Sequence, residues 1–227
     1  MRFVFFGFCW SDLAARPWLE LGHTAVIADI QHEPGITREG NLVKIGCDLG
    51  TADYVRGALK SLGLTECVFA GFFPPCTHLA VSGARWWKLK GLRALQESIS
   101  YFATSQELAE EFGCPYFIEN PVSAISNYWR APDYTCDPCD FTKLCARDNY
   151  TKKTCLWVGG GFRMPRPDPQ PGLPPPDERI WRASNTKDRA RVRSMTPEGL
   201  ARAVCLANSG DQALIPTWCS EQLGLEI

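Results

Sequence analysis

Two short strings carry most of the chemistry in this 227-residue chain, Pro74-Pro75-Cys76-Thr77-His78 and Ile118-Glu119-Asn120-Pro121. Paired prolines remove backbone freedom and fix the direction of whatever follows them. A cysteine presented that way suits a positioned nucleophile, with a buried packing thiol as the alternative. A free thiol has a pKa of about 8.5, so only a few per cent is thiolate near neutrality unless a neighbour lowers it. His78 is either that neighbour or a structural or substrate contact, because residues two apart in a loop need not meet. Glu119 ends a short apolar run. Partial burial there raises a carboxyl pKa and fits it to donate a hydrogen bond or act as general acid, whereas a capping or ion-paired glutamate is the plainer reading. A third string, Phe6-Gly7-Phe8-Cys9-Trp10, precedes Asp29. A glycine turn with an acid about twenty residues on suits an adenosine cofactor, the acid accepting the ribose hydroxyls. A single glycine in place of G-x-G-x-x-G disfavours a dinucleotide and favours a cofactor without phosphates, such as S-adenosylmethionine. A plain α/β turn remains the alternative.

The elements around these strings alternate. Arg2–Phe6 reads as a strand, Ser11 or Asp12 as the cap of a helix running to Leu21, and Ala25–Ala28 as a strand ending at Asp29. Val43–Ile45 before Asp48, Glu66–Phe73 before Cys76, and Pro115–Ile118 before Glu119 supply further strand ends. The strongest helix is Gly91–Phe112, with Leu92, Leu95, Ile99 and Phe102 at intervals of three and four and Gly113 at its close. Leu156–Phe162 reads as a strand, and Thr196-Pro197-Glu198 as a cap, first-turn proline and first-turn acid of a helix to about Ala207. This rhythm predicts an α/β fold, a Rossmann-like sheet with helices on both faces. In open sheets of that kind ligands bind outside the carboxyl ends of the strands, so Asp29, Asp48, Cys76 and Glu119 should share one rim.

Composition narrows the classes. No apolar run approaches a membrane span. Early charges and the lack of a small-residue cleavage site argue against a secretory leader, so the 11 cysteines are expected in a reducing, cytoplasmic setting. The net charge is −1, yet residues 150–195 hold ten Lys/Arg against four acids, either a polyanion footprint or a solvated surface. Cys136, Cys139, Cys145 and Cys155 open with a C-x-x-C knuckle and fit a tetrahedral structural zinc, against scattered reduced thiols or redox chemistry. A metal would order a loop too short to bury much apolar area. Seven prolines within 165–176 make an extended connector. The expected division is a core over 1–131, a Cys/Pro-rich insertion over 132–178, and a basic segment with a helix completing the core over 179–227.

In their order and context these strings resemble the cytosine-C5 DNA methyltransferases, in particular the compact members encoded by phages. Arg2–Trp10 is similar to the family's cofactor loop, Ala25–Asp29 to its ribose-binding strand, and Gly46-Cys47-Asp48-Leu49 to its adenine motif. Phe73-Pro74-Pro75-Cys76 resembles the nucleophile motif and Ile118-Glu119-Asn120-Pro121 the glutamate motif. Lys152-Lys153-Thr154-Cys155-Leu156-Trp157 looks like the phage proteins' basic motif, and Thr196–Arg202 like their late helix. The resemblance implies methyl transfer from S-adenosylmethionine to cytosine C5 in DNA, with the base flipped out of the stack. It implies Cys76 as nucleophile, Glu119 as the N3 partner, and Lys153 with Lys152 as the positive charge, Arg85 being another donor. It places Phe6, Gly7, Phe8, Asp29, Asp48 and Pro74 at the cofactor, and Pro75, Thr77, Arg85, Asn120 and Thr154 at the substrate. The chain departs from the family at the cofactor loop, which lacks a second glycine. It also lacks the Gln-x-Arg-x-Arg motif and the large recognition domain. Those departures keep two rivals open. One is the same chemistry on RNA or a cytosine nucleotide; the other is an inactive zinc-containing nucleic-acid-binding module.

Overall fold

The computed structural model describes residues 1–182 and 194–210. Seven strands form one sheet in the order β3-β2-β1-β4-β5-β7-β6. They are β1 (Arg2–Gly7), β2 (Thr24–Glu39), β3 (Leu42–Gly46), β4 (Glu66–Phe72), β5 (Tyr116–Asn120), β6 (Tyr134–Cys136) and β7 (Thr154–Gly159). Pairing is parallel from β3 through β5, while β7 runs antiparallel to both β5 and β6. Strand order reverses between β1 and β4, which makes their carboxyl ends the switch point of the sheet.

Period-two alternation explains why β1 is an unbroken apolar run. Phe3 and Phe5 enter one core cluster, with Val55 of α2 (Asp53–Ser61) and Phe102 and Leu108 of α3 (Trp87–Phe112). Val4 and Phe6 enter the other, with Trp18 of α1 (Arg16–Glu20). A strand covered on both faces has no side left for polar residues. The mixed α/β fold expected from the sequence is therefore present, with helices on both faces.

Several elements differ from expectation. The first helix begins at Arg16, because Pro17 sets its first turn and neither Ser11 nor Asp12 caps it. The link from β2 to β3 holds no helix. Ala25–Asp29 pairs in parallel with β3, and then the tail of β2 pairs with β3 in descending register, from Ile36↔Ile45 to Glu39↔Leu42. The chain passes over the end of β3 to do this, and a Cβ on Gly46 would overlap the Glu33 carbonyl. In α3, Gly91 (φ 75) breaks the helix, and Gly113 (φ 60) ends it in the left-handed conformation that glycine tolerates best. Leu92, expected on the buried stripe, is 83% exposed, whereas Phe102 is buried.

Residues 132–178 are woven into the body. β6 and β7 extend the central sheet, and β7 starts at Thr154 rather than Leu156. Phe141 and Cys136 join the same core cluster as Leu200 and Val204. These two belong to α6 (Glu198–Asn208), which follows the short α5 (Arg179–Arg182). Thr196 does not cap α6. Asp148 accepts the Gly199 N–H at 2.7 Å instead, a cap supplied from outside the helix. The proline connector follows the same body, as Asp168 N–H donates to Asp140 O and Asn149 Nδ2 to Pro174 O. No helix among the described residues is long and apolar enough to cross a membrane.

Candidate functional site

The rim at the switch point is assembled by backbone hydrogen bonds. Phe73 N–H donates to Gly7 O at 3.0 Å, so β4 stays paired with β1 up to the proline pair. Pro74 is buried, Pro75 exposed and Cys76 half-buried. The buried Asn120 side chain donates from Nδ2 to Pro74 O at 2.9 Å, which clamps the cysteine loop to the end of β5. Beyond Cys76 the loop pairs with the segment after Glu119. Val81 N–H donates to Val122 O, Ala124 N–H to Leu79 O, and Ala80 bridges Ser123. The two strings that carry the chemistry are thus held on adjoining strand ends. Asn120 Oδ1 and Ser123 Oγ, on either side of Pro121, are buried with no hydrogen-bond partner among the described residues.

Burial pushes the Glu119 carboxyl pKa up, and the Lys152 charge pulls it down. The lysine that faces Glu119 is therefore Lys152, while Lys153 is exposed and acts on Cys155 instead. Strand-like alternation separates the two neighbours. Glu119, Lys152, Thr154, Ser194 and Thr196 are the polar members of a mostly apolar cavity of about 30 Å³ lined also by Phe6, Trp18, Phe117 and Leu200.

The proposed cofactor side lies at the ends of β1 to β3. Gly7 has no room for a side chain, because a Cβ would lie 2.8 Å from the Phe72 ring. Phe8 takes a left-handed φ of 55, at the turn where a second glycine would avoid strain. Its ring meets Tyr101 edge-on at 5.4 Å. Cys9 N–H donates to Ala28 O and His32 Nε2 contacts Cys9 O at 3.1 Å, which fixes the loop against the end of β2. Asp29 is buried, accepts the Gln31 N–H, and acts electrostatically on both Cys9 and Cys47. Burial, then Asp48 and Asp29, push the Cys47 thiol up to about 11. Asp48 is exposed and accepts the Gly50 N–H, and Gly50 O in turn receives the Ser100 and Thr104 hydroxyls of α3. Asp29 and Asp48 thus share one neighbourhood. Tyr101 and His32 also belong to it, and no motif in the sequence announced either.

Other predicted residues are arranged differently. Thr77 is exposed and its carbonyl accepts Lys90 Nζ at 2.7 Å. His78 Nε2 lies 3.9 Å from Glu97, so its nearest charged partner is on α3. Arg85 stacks over Trp86 at 5.1 Å from the ring centroid. The four cysteines do not converge on one point in this structure. Among the described residues no three His, Cys, Asp or Glu side chains converge to hold a metal ion. Cys136 and Cys155 lie on paired strands, whereas Cys145 sits 3.8 Å from Glu198. Packing against the body and hydrogen bonds from Asp137, Asp140 and Asp148 run through this stretch. In the basic segment, Lys187, Arg189, Arg191 and Arg193 lie outside the described residues. No protein-family model matches the chain, and no curated protein matches it.

Proposed function

We propose that this chain transfers a methyl group from S-adenosylmethionine to C5 of cytosine in DNA. The observation that carries the reading is the clamp between the Cys76 loop and the Glu119 strand end, the Asn120 to Pro74 hydrogen bond, at the switch point of the sheet. Cytosine C5 is too weak a nucleophile to attack a methyl sulfonium unaided. Cys76 Sγ adds to C6 as thiolate and turns the ring into an enamine with electron density at C5. Glu119, with its raised pKa, donates a hydrogen bond at N3 and draws charge from the ring as the thiolate adds. Lys152 supplies positive charge beside Glu119. Once C5 carries the methyl group, its hydrogen leaves as a proton to solvent water, the C5–C6 double bond re-forms, and the S–C6 bond breaks to return Cys76 to thiolate. S-adenosylmethionine, when bound, supplies the electrophilic methyl group. Asp29 would accept the ribose hydroxyls and Asp48 the adenine edge. Gly7 would let the backbone approach, with Phe6, Phe8 and Pro74 as walls.

RNA or a cytosine nucleotide is the second reading. It is favoured by the way residues 136–177 are committed to packing against the body. The scattered cysteines give no support to a zinc-containing binding module. Nucleoside mass spectrometry of unmethylated genomic DNA, after incubation with protein and S-adenosylmethionine, tests the proposal. Wild type should form 5-methylcytosine, and Cys76→Ser should abolish it. Glu119→Gln should slow it by about 10²-fold to 10⁴-fold. Cofactor binding with no product would move the search to RNA and nucleotides. Absence of cofactor binding would sink the proposal.

A further inference from the structure

Half of the exposed large apolar side chains among the described residues gather beside the Cys76 loop: Val81, Trp86, Leu89, Leu92, Val122 and Tyr128. Leu89 is 78% and Leu92 83% exposed, an arrangement that water disfavours unless something covers them. The stretch also carries charge of one sign. Residues 77–96 contain Arg85, Lys88, Lys90 and Arg93 and no acid. Arg85, Lys88 and Arg93 form no ion pair with a described residue, whereas Lys143, Arg147 and Arg179, further along the chain, are each held by an acid. A cavity of about 380 Å³ opens beside these residues, between His78, Trp87, Leu95 and Tyr128.

We infer that this surface, from Val81 to Arg93 with the adjoining cavity, binds unpaired nucleic acid, its cations on the phosphates and its exposed rings and leucines against the bases. The inference deepens the methyl-transfer reading and rests on it for the chemical class of the substrate. A duplex turns phosphates and base edges outward and keeps its base faces stacked, so exposed apolar side chains between cations find nothing to cover them there. A single strand offers both partners at the spacing of one nucleotide, and aromatic platforms within cationic tracks bind it with little regard to sequence. Trp86, with the Arg85 guanidinium over its ring, forms such a platform, and the cavity beside it falls within the about 300–1,000 Å³ of small-ligand sites. An anionic membrane is the competing partner for a basic, apolar surface.

Fluorescence anisotropy separates these partners. The probes are a short labelled single strand containing cytosines, the same sequence as a duplex, and phosphatidylserine-containing vesicles. The single strand should bind most tightly, and Trp86→Ala should weaken it by about tenfold, the scale of one lost base stack. Lys88→Ala with Arg93→Ala should make the salt dependence shallower by about 1.4 in log–log slope, the release of two phosphate contacts. All three positions are exposed, and thermal melts matching wild type will show that the variants fold. Duplex binding as tight as the single strand, vesicle binding without strand binding, or variants that bind like wild type would each overturn the inference. If those variants bind like wild type while genomic DNA is still methylated, only the surface assignment fails. If strand binding depends on Trp86 but no methyl transfer occurs on any substrate, the surface assignment stands and the methyl-transfer proposal falls.

Discussion

Residues 136–177 hold only short elements, residues 77–92 lead through a short turn into the start of α3 ahead of its break at Gly91, and both stretches adjoin the strand ends that carry Glu119 and Cys76. Their polar groups are treated differently. In the first stretch Asp137 accepts the Lys152 N–H, Asp140 accepts the Asp137 N–H, and Asp148 caps α6. Lys143 reaches Asp168 and Asn149 reaches Pro174. In the second, His78 Nδ1 and Trp87 Nε1 are buried with no hydrogen-bond partner among the described residues, and leucines stand in water. Order in a short segment therefore comes from satisfied polar groups laid on a neighbour. Cysteine density is a poor guide to it. The stretch with unpaired buried groups is the one to which we assign a partner outside the chain.

The largest test of this contrast is at Asp148. Asp148→Ala removes the outside cap of α6 and should lower stability by about 1–2 kcal/mol in urea denaturation. Thr196→Ala should stay within about 0.5 kcal/mol, as for an ordinary surface change. A chelator should leave the melting temperature unchanged. A drop on chelation would mean that a metal orders residues 136–155 after all. On the other side of the contrast, Trp87→Phe deletes a buried N–H that has no partner. Losing the unpaired donor should offset part of the packing lost with the larger ring, so the net change should stay within about 1 kcal/mol, and a loss of several kcal/mol would contradict it.

Glu119 lies where Lys152, from the first stretch, meets the strand end. Its folded pKa is raised by burial, so its ionisation favours the unfolded chain. The stability it allows is fully present below the unfolded carboxylate pKa of about 4.3 and declines as pH rises through the folded value. Glu119→Gln should therefore raise the melting temperature at neutral pH, with the gain vanishing near pH 4. A gain that is the same at both pH values would contradict the burial argument. The smallest effect is at Phe8. Phe8→Ala keeps the left-handed strain and loses the Tyr101 contact, whereas Phe8→Gly also relieves the strain. Glycine should be the better tolerated of the two by about 1 kcal/mol. Equal losses would mean that the turn is unstrained.

Much of the sheet was legible because strands buried on both faces leave short apolar runs that end at recognisable groups, as at Phe6-Gly7, Phe73-Pro74 and Ile118-Glu119. Gly91 and Gly113 marked the long helix because both positions require positive φ. Leu92 was misread since periodicity reports a stripe but does not say where the covering neighbour ends. The cap of α6 was invisible because its donor and acceptor lie 51 residues apart. The cysteines looked like a metal set because spacing along the chain does not say which face of a strand pair each thiol takes. The rim bearing Asp29, Cys76 and Glu119 was anticipated, yet its clamp through Asn120 and its choice of Lys152 needed coordinates.

The crossing of the chain over Gly46 has a consequence for any activity-based mutational scan. Glu33 passes so close that even a methyl group at Gly46 must lift the segment on which His32 contacts the Cys9 carbonyl. A residue with no side chain, 30 positions before Cys76, would then score as intolerant as a reacting group. Its signature would be weakened cofactor affinity with the chemical step intact, and a survey of lost function alone would mistake a mechanical strut for part of the chemistry.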